Sequence, residues 1–191
     1  MERIDFDSFR QIISWLTYSD LFKLHATGSK FTRDHKYVRE ISEVGRFELQ
    51  YIKSPMPGVR HISIVDNTRL SEITTLFPGL TSFFDCTERR VGGVRNDYDF
   101  LPPTLTRLMV RKNEMNVSTL KKFVDLKWLM CSILTPQDDN FPDGLEMLWV
   151  TEFGGRNSQI DISNLRRLRE LYCQNSINVL TLSGTIEKLN V

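Results

Sequence analysis

One apolar pattern returns along most of the chain and constrains its fold more than any other feature. Residues 105–110 read Leu-Thr-Arg-Leu-Met-Val, with apolar side chains at the first, fourth and sixth positions. This pattern occurs, in whole or in part, seven times between residues 59 and 191. Its central apolar residues are Ile62, Phe83, Leu108, Leu129, Leu148, Leu171 and Leu189, at intervals of 21, 25, 21, 19, 23 and 18 residues. Such a period predicts a repeat array, in which each copy packs mainly against its two neighbours.

The pattern and its interval are those of a leucine-rich repeat, in which the L-x-x-L-x-L segment forms one strand of a parallel sheet. A proline stands before four of the segments, where a residue that lacks an N–H group and has a fixed φ suits the corner leading into a strand. These prolines are Pro57, Pro78, Pro102, Pro103 and Pro142. Helical connectors are expected at 70–77 and 118–124, whereas 135–143 is too polar and too broken to form a helix. The sequence therefore predicts an α/β fold, a leucine-rich-repeat solenoid arc with a parallel concave sheet.

The first 45 residues follow a different pattern, which predicts a small unit of three helices ahead of the array. Apolar residues recur at helical spacing in the first of them; they are Phe6, Phe9, Ile12, Ile13 and Leu16. Ser19 and Asp20 offer an N-cap for the second helix, and Gly28 ends it. The third helix is indicated by the apolar residues Phe31, Tyr37, Val38 and Ile41.

The predicted domain boundary falls after this helical unit, which covers residues 1–45. The array covers 46–191, and its first part, 46–58, is expected to form a capping strand and a joint. The strand is indicated by the alternation of Phe47, Leu49 and Tyr51 with polar residues.

The helical unit resembles the F-box. Ile12-Ile13-Ser14-Trp15-Leu16 is similar to the family's Ile-x-x-Tyr-Leu helix end, and Thr17-Tyr18-Ser19-Asp20-Leu21 is similar to its short turn ending in Asp-Leu. Residues 22–31 resemble the helix that follows, and 35–38 stand where the family ends in Leu-Trp. The segments that open on proline, such as Pro102-Pro103-Thr104-Leu105, resemble repeats of the FNIP type, which accompany F-boxes.

An F-box joined to leucine-rich repeats implies the substrate receptor of a cullin–RING ubiquitin ligase. On that resemblance, a Skp-type adaptor and a cullin scaffold are the expected partners, and Ile4, Phe9, Ile12 and Trp15 would contact the adaptor. Ile4-Asp5 stands where the family favours Leu-Pro, and Ser8 where it favours Leu. These departures leave open an alternative, a non-catalytic scaffold or assembly subunit whose F-box-like helices only cap the array.

Alternation along the strands predicts which side chains face a partner protein. If Leu108 and Val110 point into the core, their neighbours point out of the concave sheet, and the same rule applies to each copy. The candidate partner-binding residues are Arg107, Met109, Arg111, Trp128, Met130, Met147, Trp149 and Tyr172. Trp, Tyr and Arg are enriched at binding hot spots, and Met adapts to irregular shapes.

Composition and motifs argue against other classes of function. The net charge is +1, so no bulk field attracts nucleic acid or an anionic membrane, and no apolar run predicts a membrane span or a signal peptide. Three widely spaced cysteines are expected to be free thiols, which indicates a cytoplasmic or nuclear location. His25, His35 and His61 lack companion ligands at metal spacing. No nucleophile and base can be paired from spacing, so we expect neither an enzyme, nor a cofactor, nor a metal site.

Overall fold

Parallel strands, one in each copy of the repeat, build the described part of the chain. The structure, a computed structural model, describes residues 40–44, 55–65, 72–87, 98–135, 141–153, 160–174, 180–182 and 184–190. Its strands are β1 (Glu40–Val44), β2 (His61–Ile64), β3 (Ser82–Asp85), β4 (Arg107–Asn116), β5 (Trp128–Thr135), β6 (Met147–Phe153), β7 (Ile160–Asp161), β8 (Glu170–Cys173), β9 (Leu180–Thr181) and β10 (Lys188–Asn190). Two one-turn helices, α1 (Ile73–Leu76) and α2 (Val117–Leu120), and a 3-10 turn (Tyr98–Phe100) lie in the connectors.

The strands of the main sheet stand in chain order. The order is β1-β2-β3-β4-β5-β6-β8-β10, and every neighbouring pair is parallel. β7 and β9 form a separate parallel pair within the connectors of the last copies. A parallel sheet whose strands follow one another without rearrangement is the arrangement of a solenoid, as the repeat interval predicts.

The sheet begins earlier than the sequence pattern indicates. Ile41, which the apolar spacing assigns to a third helix, lies instead in β1 and pairs with Ile62 of β2. The prediction of a helix through Ile41 is therefore wrong, because pairing with a neighbouring strand overrides a local pattern that fits either element. The rest of the helical unit and the strand expected at 47–51 lie outside the described residues.

A turn of one kind leads into β2, β3, β4, β5, β6 and β8 and explains the prolines. In six copies, the N–H of the first apolar residue donates to the carbonyl oxygen three residues earlier, at distances of 3.0–3.2 Å. Pro57, Pro78 and Pro103 occupy the second position of this turn, where a φ fixed near −65° is already correct. The predicted role of proline before the strands is confirmed in these copies. The expected helices at 70–77 and 118–124 are each a single turn, α1 and α2.

The core fills the space between the sheet and the connectors. Between residues 59 and 173, the apolar residues at the three repeat positions form three buried rows, each side chain at most 2% exposed. Phe77, Phe123 and Leu165 close the other side from the connectors and are equally buried. All these residues belong to one continuous cluster. Because burial of a Leu or Phe side chain stabilises by roughly 1.5–3 kcal/mol, this cluster holds the array together.

A single carboxylate interrupts the buried rows. Asp85 occupies the third repeat position, between Ile64 and Val110 in the register, and is fully buried. Its Oδ1 accepts hydrogen bonds from the N–H and hydroxyl of Thr87, at 3.0 and 2.6 Å, and its Oδ2 accepts from the Tyr98 hydroxyl at 2.6 Å. These bonds replace the water that the carboxylate loses on burial.

Candidate functional site

The face of the main sheet opposite the core carries two rows of side chains in register. We call them the first and the second outer row. The first outer row consists of His61, Ser82, Arg107, Trp128, Met147, Glu170 and Lys188. The second outer row consists of Ser63, Phe84, Met109, Met130, Trp149, Tyr172 and Asn190.

Burial alternates along β2 and β8 and along the first four residues of β4, β5 and β6, as the repeat predicts. Leu129 and Leu148 are fully buried, whereas Trp128 and Trp149 beside them are only partly covered. Aligning the copies of the repeat predicts that Trp128 pairs with Met147 and Met130 with Trp149, and both pairings are present. The structure therefore brings seven of the eight candidate partner-binding residues into the two outer rows. Arg111, the eighth, is exposed further along β4.

Arg107 lies between two aromatic rings near the middle of the sheet. Its guanidinium carbon is 5.5 Å from the centre of the Phe84 ring and 5.4 Å from the centre of the Trp128 ring. The two rings are themselves in tilted contact, with centres 5.9 Å apart. Cation–π attraction of about 0.5–1 kcal/mol at each exposed ring favours this placement. The side chain is thus held, although the residue remains exposed.

A second aromatic pair stands on the neighbouring strands. The rings of Trp149 and Tyr172 stack with their centres 5.0 Å apart and their planes 24° from parallel. Met109, Met130 and Met147 are partly buried and occupy the row positions between the two aromatic groups. Together these residues make a continuous, largely apolar surface that crosses β3 to β8.

An ion pair ends this surface on the side of β10. Lys188 Nζ donates to Glu170 Oε1 at 2.7 Å, and the Tyr172 hydroxyl lies 3.3 Å from Glu170 Oε2. The hydrogen bond from Lys188 is the main cause that lowers the pKa of the Glu170 carboxyl, and Glu170 raises the pKa of Lys188 in turn. Glu170 is therefore a carboxylate that already has two donors.

Charged side chains alternate in sign just before the strands begin. Lys127 Nζ donates to Glu146 Oε1 at 3.1 Å, and Arg169 Nε is 3.8 Å from Glu187 Oε1. A shallow cavity of about 540 Å³ lies beside them and is lined by Glu146, Arg166, Arg167, Arg169, Thr185 and Glu187. Exposed pairs of this kind contribute little stability, so they border the outer rows without fixing them.

Phe84 belongs to the surface but is not among the residues that the sequence analysis selects. The same alternation could have found it, since it follows Phe83 on β3 and pairs with Met109. Its copy is irregular, because Asp85 takes the last apolar position, and the pattern is therefore weaker there. Ser82, on the same strand, is buried opposite Arg107, and its hydroxyl has no hydrogen-bond partner.

The other predicted residues contribute no site in the described part of the chain. The expected adaptor contacts Ile4, Phe9, Ile12 and Trp15 lie outside it. Cys86, Cys131 and Cys173 are free thiols, as expected, and burial raises the pKa of Cys131 far above its ordinary value. No group of three His, Cys, Asp or Glu residues among those described is placed to hold a metal ion. Within the same residues, no helix has the length and apolar character that crossing a membrane requires.

One parallel strand per copy, in chain order and with the L-x-x-L-x-L side chains inward, defines a leucine-rich-repeat solenoid. The sequence matches no family model, and no curated protein is significantly similar to it. In structure the chain is similar to internalin C2 from Listeria monocytogenes, with a TM-score of 0.49 and 16% sequence identity. That similarity covers 90% of this chain and 89% of the internalin chain.

Proposed function

We propose that this protein is a recognition subunit that binds another protein on the two outer rows of its main sheet. The observation that carries the proposal is the continuous apolar surface made by Phe84, Met109, Trp128, Met130, Met147, Trp149 and Tyr172, on the face opposite the core. Removal of such side chains from water by a partner lowers the free energy of the complex. Aromatic residues and Arg dominate the binding energy of protein interfaces, whereas Met lets a surface adapt to its partner.

Trp149 is the residue on which to test this proposal. It stands in the middle of the second outer row and stacks on Tyr172, so Trp149→Ala removes a large part of the contact area. We expect the change to weaken partner binding by roughly 2 kcal/mol or more, as at a hot spot. Its effect on the free energy of unfolding should be smaller, about 0.5–1.5 kcal/mol, the value of one aromatic pair.

Val124 provides the matched control, because it is 68% exposed but lies in a connector away from the outer rows. Native cell proteins captured by the wild-type chain, by Val124→Ala and by Trp149→Ala are compared by quantitative mass spectrometry. Proteins retained by the first two and lost by the third support the proposal. The same proteins on all three chains would contradict it.

We further propose that the partner is a substrate and that this protein is its receptor in a cullin–RING ubiquitin ligase. The support is the resemblance of residues 12–31 to an F-box, whose Skp-type adaptor would pack on Ile4, Phe9, Ile12 and Trp15. Gel filtration of the full chain with purified adaptor should give a one-to-one complex. The double variant Ile12→Ala/Trp15→Ala should elute apart from the adaptor.

The alternative is a scaffold or assembly subunit, which is favoured by Asp5 and Ser8 at positions where the F-box family has Pro and Leu. Under that alternative, the helices cap the array and the adaptor does not bind. A wild-type chain that elutes apart from the adaptor, while Trp149→Ala still loses a captured protein, would establish recognition without the ligase.

A further inference from the structure

Of the described side chains, Arg107 is the one cation placed inside the apolar surface, and its surroundings define what it can bind. Phe84 and Trp128 hold its guanidinium from two sides, so its position is largely fixed before any partner arrives. Among the described residues, no hydrogen bond or ion pair engages this group. A guanidinium has five N–H donors in a planar fork, which matches the two oxygens of a carboxylate.

Among the described side chains of the outer rows, none supplies a carboxylate to Arg107. Glu170, the acidic residue of the rows between β2 and β10, is three strands away and is bound to Lys188 and Tyr172. Asp85 directly follows Phe84 in the sequence, but its side chain points into the core. There its oxygens accept hydrogen bonds from Thr87 and Tyr98. Arg111, exposed on the same strand, adds a second positive charge.

We infer that Arg107 receives an Asp or Glu side chain from the bound protein, and that this carboxylate selects the partner. This inference rests on the proposed function of the outer rows. The partner segment would carry the acidic residue beside apolar side chains that pack on Met130 and Trp149. Across the sheet these lie one and two strands from Arg107, which is about 5 and 10 Å at the usual strand spacing, and each stands two residues further along its strand than the position in register with Arg107.

Physical chemistry favours a charged ligand at this place. An Arg side chain held between two rings loses little conformational freedom on binding, because the rings have already ordered it. When the partner covers Met109 and Met130, water leaves the surface, and a charge-assisted hydrogen bond becomes stronger in the drier surroundings. An uncharged partner would instead leave the guanidinium covered and unpaired, which is costly. The surface around Arg107 therefore favours acidic partners over uncharged ones.

A random peptide library displayed on phage, selected on the full-length chain, tests the inference. Parallel selections use the wild type, Arg107→Gln, Arg107→Lys and Trp149→Ala, with Arg166→Gln as control for an exposed arginine outside the outer rows. We expect peptides with Asp or Glu beside aromatic or aliphatic residues from the wild type and from Arg166→Gln. Arg107→Gln should lose the acidic residue, and Arg107→Lys should weaken its enrichment because an ammonium group cannot form the planar pair.

The leading peptide is then synthesised with its acidic residue intact, as the matching amide, and as phosphoserine, and each form is titrated into the full chain. The amide should bind roughly 10- to 100-fold more weakly than the acid, and this difference should vanish in Arg107→Gln, as coupling between two groups requires. Equal affinity of acid and amide for the wild type would overturn the inference. A strong preference for phosphoserine over the acid would also overturn it, because the ligand would then be a phosphate.

The same experiment separates the inference from the proposed function. If the selected peptides require Trp149 for binding but do not require an acidic residue, recognition by the outer rows stands and the inferred role of Arg107 is wrong. A library that yields no peptide dependent on Trp149 would count against both. Equal thermal unfolding of the wild type and Arg107→Gln shows that any lost binding is not lost folding.

Discussion

Asp85 occupies a position that the repeat gives to an apolar side chain in the adjoining copies. Ile64 and Val110 flank it in the register, so an uncompensated carboxylate there would cost several kcal/mol. Tyr98 supplies the compensation from 13 residues further along the chain, by a hydrogen bond of 2.6 Å. The same turn is fixed by Lys122, whose Nζ donates to the Tyr98 carbonyl oxygen at 2.7 Å. Residue by residue, the irregular copy is therefore stabilised by its own connector.

Removing the Tyr98 hydroxyl should expose this dependence. In Tyr98→Phe a buried carboxylate loses one of its hydrogen-bond donors, so we expect the free energy of unfolding to fall by about 1–3 kcal/mol. Urea unfolding followed by circular dichroism measures it. Tyr172→Phe is the matched control, since its hydroxyl bond to Glu170 is longer and only partly buried, and its effect should stay within about 0.5 kcal/mol. Equal losses in the two variants would show that Asp85 does not depend on Tyr98.

The ion pair between Glu170 and Lys188 makes a prediction about pH. The Lys188 ammonium lowers the pKa of the folded Glu170 carboxyl, so the pair contributes stability above the ordinary glutamate pKa. That contribution is lost as the pH falls through the lowered folded pKa. In Lys188→Ala the Glu170 pKa should rise toward its ordinary value, and a titration of the carboxyl followed by NMR checks this. A Glu170 pKa unchanged by the substitution would mean that the pair does not form in solution.

At the scale of the element, the recurring turn before β2, β3, β4, β5, β6 and β8 sets the register of these strands. The residue that precedes each strand accepts two N–H groups from the next copy through one carbonyl oxygen, as Thr106 does from Lys127 and Trp128. A shift of one residue would break these bonds and turn every core side chain toward water. Strand, turn and hydrogen bond therefore specify the same alignment.

Gly79 is a turn residue that cannot be enlarged without disturbing this geometry. A Cβ atom at Gly79 would run into the Arg60 guanidinium, which donates to the Gly79 carbonyl oxygen, and into the backbone oxygen of Pro57. Gly79→Ala should destabilise by about 1–3 kcal/mol, as overpacking does. Gly144→Ala, at the same turn position, would have its Cβ 3.4 Å from the nearest oxygen, an ordinary contact, and should cost less. Thermal unfolding of both variants tests this expectation. A larger loss of stability in Gly144→Ala than in Gly79→Ala would contradict it.

The elements that agree with the repeat pattern could be predicted from the sequence, whereas the elements that depend on tertiary contacts could not. The register of Trp128 and Trp149 follows from alternation alone, because the period of a strand is two. The strand at Ile41 escaped prediction, since a short apolar pattern fits a helix as well as a strand until a neighbour is known. The pairing of Tyr98 with Asp85 has no local signal, because the fold of the connector brings the two together.

Across the whole molecule, each copy contributes through its neighbours, so the same substitution should have different effects along the array. Leu108 is fully buried between β3 and β5, whereas Leu189, at the same repeat position in β10, is 47% exposed. Leu108→Ala should therefore cost about 2–5 kcal/mol, and Leu189→Ala about 1 kcal/mol or less. Urea unfolding of the two variants makes the comparison. Equal losses would show that β10 is as well covered as β4.

The chain order of the strands also determines how this protein would respond to mechanical tension. Because the strands of the main sheet follow one another in chain order, a force applied to β1 and β10 pulls on an outermost strand and not on all strands together. The hydrogen bonds between neighbouring strands would then break one copy after another, instead of all being loaded in shear at the same time. Each detached copy would release about 20 residues of chain, a length set by the repeat interval. Such a molecule would extend in small steps at low force and would therefore be mechanically compliant.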